Sequence, residues 1–121
     1  MADHNDFGRA GEEIAVNFLK KKGYRILETN WTAGKNEIDI IAMDKDILVV
    51  VEVKSRHSSF AGEPETAVTR DKQKALVRAA NAFLGKKGMD NEVRFDIVSI
   101  LVVNGKETIN HIEDAFYPTL H

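Results

Sequence analysis

Two short segments of this 121-residue chain hold side chains whose types and spacing suit hydrolytic chemistry. In Val51-Glu52-Val53-Lys54 the two-residue period of a strand points Glu52 and Lys54 one way and Val51 and Val53 the other. In Glu37-Ile38-Asp39-Ile40 the same period sets Glu37 and Asp39 on one face, with Ile38 and Ile40 on the opposite face. Asp44-Lys45-Asp46 is a link short enough for a hairpin, so the two runs are expected to pair antiparallel. A turn centred on Asp44 and Lys45 places Asp39 opposite Val50 and Glu37 opposite Glu52, with all four ionisable groups on one side. Carboxylates that converge beside apolar strands repel one another unless a cation neutralises them. Hard oxygen donors with room left for water suit Mg²⁺ or Mn²⁺. Asp39 and Glu52 are the expected ligands. Lys54 cannot ligate while protonated, but it can orient an attacking water or offset charge on a phosphate oxygen. Glu37 has two readings, a further metal ligand or an ordinary partner of Lys54. Alternating charges also occur on ordinary half-exposed strands, so the surrounding elements must support the chemistry.

Those elements can be read from hydrophobic period and turn residues. From Phe7 to Lys22 the apolar residues Ile14, Ala15, Phe18 and Leu19 recur at helical spacing, and Gly23 supplies a left-handed stop. Glu12 aligns with Ala15, Val16 and Leu19 on the inward face, whereas Glu13 aligns with Asn17 and Lys20. Tyr24 to Trp31 alternates imperfectly and suits an edge strand. Ser55 to Pro64 has neither period and reads as an exposed loop. Thr69 can cap a second helix that turns Leu76, Ala79, Ala80 and Phe83 inward and ends near Gly85. Gln73 lies on the inward edge of that helix. Arg94 to Val103 is a β-branched strand, and Asn104-Gly105 is a favoured turn into Glu107 to Ile112. The predicted order is α-β-β-β-α-β-β, an α/β fold.

With 17 basic and 19 acidic side chains, net charge −2, nucleic-acid affinity cannot be spread over the whole surface, so phosphate contacts must be local. The run from Arg70 to Lys87 is basic, carrying Arg70, Lys72, Lys74, Arg78, Lys86 and Lys87 against Asp71 alone. Lys20, Lys21, Lys22 and Arg25 form a second group. The absence of cysteine removes disulfides, thiolate metal sites and thiol nucleophiles. No run approaches the ~18–20 apolar residues of a membrane span, and Met1 to Gly11 lacks a signal-peptide core. A cytoplasmic protein with no membrane partner is expected. No repeat or linker divides the chain, which reads as a polar tail over residues 1–6 and one domain over residues 7–121.

Four segments together carry a family resemblance: Gly8-Arg9-Ala10-Gly11-Glu12, Asn36-Glu37-Ile38-Asp39-Ile40-Ile41, Val51-Glu52-Val53-Lys54-Ser55-Arg56 and Arg94-Phe95-Asp96-Ile97-Val98. The chain resembles the PD-(D/E)XK nucleases from about Phe7 to Tyr117. Within them it is similar to the YraN-like family of predicted endonucleases, itself similar to archaeal Holliday junction resolvases. The resemblance implies a restriction-endonuclease-like core, a mixed central β-sheet flanked by helices. It also implies an Mg²⁺-dependent (or Mn²⁺-dependent) endodeoxyribonuclease that hydrolyses phosphodiester bonds in DNA, with branched DNA as a candidate substrate and a homodimer as a candidate assembly. Asp39, Glu52 and Lys54 match the superfamily pattern, Glu12 matches the acidic residue of the first helix and joins the ligands, and Gln73 becomes a supporting residue. Arg56, Arg70, Lys72, Lys74 and Arg78 are the expected nucleic-acid contacts. One departure is Asn36, where YraN-like sequences usually have glycine; Asn tolerates left-handed conformations, so the turn is expected to survive. A module that keeps the fold and binds nucleic acid without cutting it is the alternative. Trp31, Phe60 and Arg56 are candidates for a stacking rim, although Trp31 reads more simply as core and His57 as a solvated loop residue.

Overall fold

The computed structural model describes residues 4–57 and 68–116. Helix α1 (His4–Lys21) is followed by strands β1 (Arg25–Ala33), β2 (Asn36–Asp44) and β3 (Ile47–Arg56), helix α2 (Arg70–Lys87), and strands β4 (Val93–Val103) and β5 (Lys106–Ile112). This is the order expected from the sequence. The helical period extends ahead of Phe7 to His4, so part of the expected polar tail is helical. No helix among the described residues is long and apolar enough to cross a membrane.

The strands form one five-stranded sheet in sequence order, β1-β2-β3-β4-β5. Neighbours run antiparallel except β3 and β4, which are parallel because α2 carries the chain from one to the other. The helices cover opposite faces. Ala15 and Leu19 of α1 pack on Ile40, Ala42, Val49, Val51, Val98 and Ile100. Leu76, Ala79, Ala80 and Phe83 of α2 pack on Ile41, Met43, Leu48, Val50 and Phe95. Leu48 to Val51 is therefore an unbroken apolar run because β3 is covered on both sides.

Local chemistry sets the ends of these elements. The Thr69 side chain accepts from the Lys72 backbone N–H at 3.1 Å and opens α2. The helix continues past Gly85 to Lys87 and stops at Gly88, whose φ of 65° is left-handed. Asn104 and Gly105 both have positive φ, as a two-residue turn between β4 and β5 requires. Between β1 and β2 the left-handed residue is Gly34, while Asn36 pairs with Ala33 inside the ladder. The turn therefore survives the departure at Asn36, with Gly34 rather than Asn36 taking the left-handed conformation.

A buried polar network ties the far edge of the sheet together. Arg94 donates to both carboxylate oxygens of Asp96 at 2.9 Å, to Asp44 at 3.0 Å and to the Tyr24 hydroxyl at 2.6 Å. Asp96 also bonds His111 Nε2 at 2.7 Å and accepts from the Asp114 backbone N–H at 3.0 Å. Burial alone would raise the Asp96 carboxyl, but the bonds from His111 and Arg94 outweigh it and hold the group below the ordinary carboxylate range.

Candidate active site where two strands part

The β2–β3 ladder runs from Asp44 opposite Ile47 to Ile40 opposite Val51, where the pairing stops. Asp39 and Glu52 are the next residue on each strand, so the two carboxyl groups stand where the strands part. Across that gap the Val53 backbone N–H donates to Asp39 Oδ2 at 2.9 Å. The charge on Glu52 acts on the Asp39 carboxyl across this gap.

This register differs by two residues from the one expected. The turn is Lys45-Asp46, with Lys45 at φ 56°, rather than Asp44-Lys45. The cause lies outside the hairpin: Arg94 holds the Asp44 carboxylate at 3.0 Å, and Asn91 Nδ2 donates to the Asp46 carbonyl at 2.8 Å. A two-residue shift keeps every side chain on its face. It moves Asp39 from opposite Val50 to beside Glu52.

A second irregularity lies on the other side of β2. Thr29 pairs with Ile40 and Trp31 with Ile38, but Asn30 and Asp39 drop out of the ladder between them, and Asn30 has φ 52°. Ile38 packs on the α2 side with Trp31, whereas Ile40 packs on the α1 side. Ile38 and Ile40 therefore do not share a face, contrary to the simple alternation. The break falls at Asp39, whose carboxylate is in consequence under the influence of groups from both faces.

The electrostatics follow from that position. Burial, and then the charge on Glu52, push the Asp39 carboxyl up to about 7, against the opposing Val53 hydrogen bond; Glu12 adds to the rise and Lys72 opposes it. Burial also raises Glu52, opposed first by Lys72 and then by Lys54. Lys72 Nζ lies 3.8 Å from Glu52 Oε2. Glu52 Oε1 is buried with no hydrogen-bond partner among the described residues. A buried carboxylate oxygen with no donor is an acceptor left unused.

Glu12 reaches this place from α1. Gly11 permits it, because a Cβ there would overlap the Ser55 hydroxyl on β3. Glu12 is half-buried and Glu13 exposed, as helical spacing implied. Lys54 is half-buried on β3 and acts on Glu52 through its charge. Glu37 is exposed, and its charge bears on Glu52. Gln73 Nε2 donates to the Val68 carbonyl at 2.9 Å, so its amide fastens the start of α2. Among the described residues no group of three or more His, Cys, Asp and Glu side chains forms a ready cage.

The expected nucleic-acid contacts divide. Lys72 joins the carboxylates, while Arg70, Lys74 and Arg78 recur at four-residue spacing on the exposed face of α2, opposite the buried Leu76, Ala79, Ala80 and Phe83. Arg56 is half-buried at the end of β3, and His57 is exposed. Trp31 meets Phe83 edge to face, with ring centroids 5.3 Å apart, and is a core residue. Phe60 and most of the expected loop from Ser55 to Pro64 lie outside the described residues. Sequence reasoning missed the Gly11–Ser55 contact, for which a glycine inside a helical pattern was the available signal. It also missed the irregular Asn30, for which local sequence offered none.

Comparison with known proteins places the chain. It is 50% identical over 117 residues to a UPF0102 protein of Flavobacterium psychrophilum, covering 97% of this chain and 98% of that protein. It is 46% identical over 120 residues to a UPF0102 protein of Bacteroides thetaiotaomicron, covering 99% of each. Residues 11–100 match the family as a whole, and the chain belongs to the uncharacterised protein family UPF0102.

Proposed function

We propose that this protein is a metal-dependent phosphodiesterase that hydrolyses nucleic acid, with DNA as its substrate. The observation that carries the reading is the Asp39–Glu52 pair, two half-buried carboxyl groups side by side where β2 and β3 part, with Lys54 and Lys72 beside them. The pair suits a small divalent cation. Mg²⁺ commonly takes one or two carboxylates and fills its remaining positions with water and phosphate oxygens, so a complete protein cage is not needed. Asp39 and Glu52 would hold the ion, with Glu12 as the nearest further carboxylate on the α1 side and Glu37 contributing charge at the open end. Bound there, a divalent cation supplies Lewis acidity and a lowered pKa for water.

The remaining roles belong to the chain. Lys54 and Lys72 bring positive charge to the site of a phosphate's non-bridging oxygens, where charge grows as the phosphodiester is attacked. Gln73 holds the α2 start that presents Lys72. The likeness of the four sequence segments to PD-(D/E)XK nucleases supports the same reading. That likeness extends to junction resolvases, so branched DNA is the first substrate to try, and a homodimer would give two sites for two strands.

The second reading, a binding module without turnover, draws on Arg70, Lys74 and Arg78, a basic stripe on the exposed face of α2. Incubating end-labelled four-way junction, flap, duplex and single-stranded DNA with Mg²⁺ or Mn²⁺ separates the two. Cutting by the wild type and not by the Glu52→Ala, Lys54→Ala double variant supports the enzyme. Binding without cutting by either protein supports the module.

A further inference from the structure

The ground on the α1 side of the carboxylate pair carries a second site, whose assignment rests on the hydrolytic reading above. Between α1 and β1 lies a cavity of about 370 Å³. Arg9, Glu12, Glu13 and Asn17 line it from successive turns of α1, and Thr29 and Asn30 from β1. Val16 adds an apolar side chain to the lining. Two residues connect this space to the candidate active site. Asn30 lies opposite Asp39 at the break in the β1–β2 ladder, and Glu12 follows Gly11, which packs against Ser55 on the strand that carries Glu52. On the hydrolytic reading, a phosphate seated at Asp39 and Glu52 would have this cavity one strand away, across the β1–β2 ladder.

The lining selects what can enter. Two carboxylates against one guanidinium give a net negative wall, which repels a phosphate or any other anion. Asn17, Asn30 and Thr29 offer both donors and acceptors, Glu13 offers acceptors, and Arg9 offers donors with a flat stacking face. A neutral, planar group edged with hydrogen-bonding atoms matches that set, and a nucleobase is such a group. Within a duplex the base edge is turned to its partner and its faces are stacked, so only an unpaired base can enter. We infer that this cavity receives an unpaired nucleobase adjoining the phosphate held at Asp39 and Glu52. The substrate class is then nucleic acid with a looped-out or single-stranded nucleotide, rather than continuous duplex.

The test uses the full chain and three duplexes of one sequence: fully paired, with one unpaired 2-aminopurine, and with an abasic spacer at that point. Affinities are read by anisotropy with Ca²⁺ in place of Mg²⁺, and the base environment by 2-aminopurine emission. The expected result is binding of the 2-aminopurine duplex about tenfold tighter than either of the others, with a change in emission. Asn17→Phe, which fills the cavity from an exposed position, is expected to abolish that preference and leave affinity for the paired duplex unchanged. Glu13→Ala, which removes an acceptor without touching the core, is expected to reduce the preference. Equal affinity for all three duplexes, or a preference that survives Asn17→Phe, overturns the cavity assignment and leaves the hydrolytic reading standing. Failure to bind any of the three overturns both.

Discussion

Asp39 is held in an environment that disfavours its charge, and the consequences can be measured at that one residue. Its carboxyl rises from 3.8 to about 7, so the folded protein holds the proton more tightly than the unfolded chain does. The fold is therefore protected at low pH and loses stability as pH rises from 3.8 towards 7. Asp39→Asn removes the titration. In EDTA at pH 8 the variant is expected to be more stable than wild type by on the order of 1–3 kcal/mol, and the gap should shrink by pH 5. Thermal unfolding at the two pH values checks this, and a variant less stable at pH 8 would contradict the burial argument. Lys54 makes a contrasting prediction: its charge steadies Glu52, and on the proposed function its larger effect is on the reaction. Lys54→Met is expected to slow cleavage about 10²- to 10³-fold while unfolding changes little. A loss of stability large enough to explain the lost rate would reassign Lys54 to structure.

Elements bring these residues together through contacts that lie mostly between strands and helices distant in sequence. Gly11 lets α1 approach β3 closely enough to set Glu12 beside the pair, and the obstacle to any larger residue is the Ser55 hydroxyl. That hydroxyl is buried without a hydrogen-bond partner among the described residues. Ser55→Ala should therefore be close to neutral or stabilising, and Gly11→Ala should cost about 1–3 kcal/mol. Their combination should recover most of that cost, and a double-mutant cycle by denaturant unfolding reads the coupling. Additive effects would show that the approach of α1 is limited elsewhere. On α2, Thr69→Ala is expected to cost about 1 kcal/mol by loss of the cap and to weaken the hold of Lys72 on Glu52.

The same contacts explain what the sequence could and could not disclose. Val51-Glu52-Val53-Lys54 showed its face because a strand period is local, and Thr69, Gly23 and Asn104-Gly105 marked their boundaries through their own backbone chemistry. The β2–β3 register was not legible, because Arg94 and Asn91, more than forty residues away, pin the turn. The break at Asn30 and Asp39 reverses a face within one strand, which a constant period cannot express. Lys72 read as part of a uniform basic run, yet its place in the first turn of α2 takes it to Glu52 while Lys74 and Arg78 face solvent.

Across the whole molecule the acidic pair lies at the open end of the sheet and the basic residues lie on a helix beside it. On the proposed function, this arrangement gives a nearly neutral chain a place where phosphate and a cation could meet. If the exposed stripe of α2 guides DNA, the double change Lys74→Glu, Arg78→Glu should lower affinity and flatten its dependence on salt by about two ions, leaving cation binding untouched. Unaltered affinity would remove that stripe from the interface.

The central claim is that Asp39 and Glu52 form a site completed by a divalent cation. Titration of wild type, Asp39→Asn and Glu52→Gln with Mn²⁺ at pH 7, reading free ion by electron paramagnetic resonance, tests it most directly. The expected result is uptake of Mn²⁺ by the wild type with release of protons, weakened at least about tenfold in each variant. No uptake by the wild type, or equal uptake by all three proteins, would contradict it.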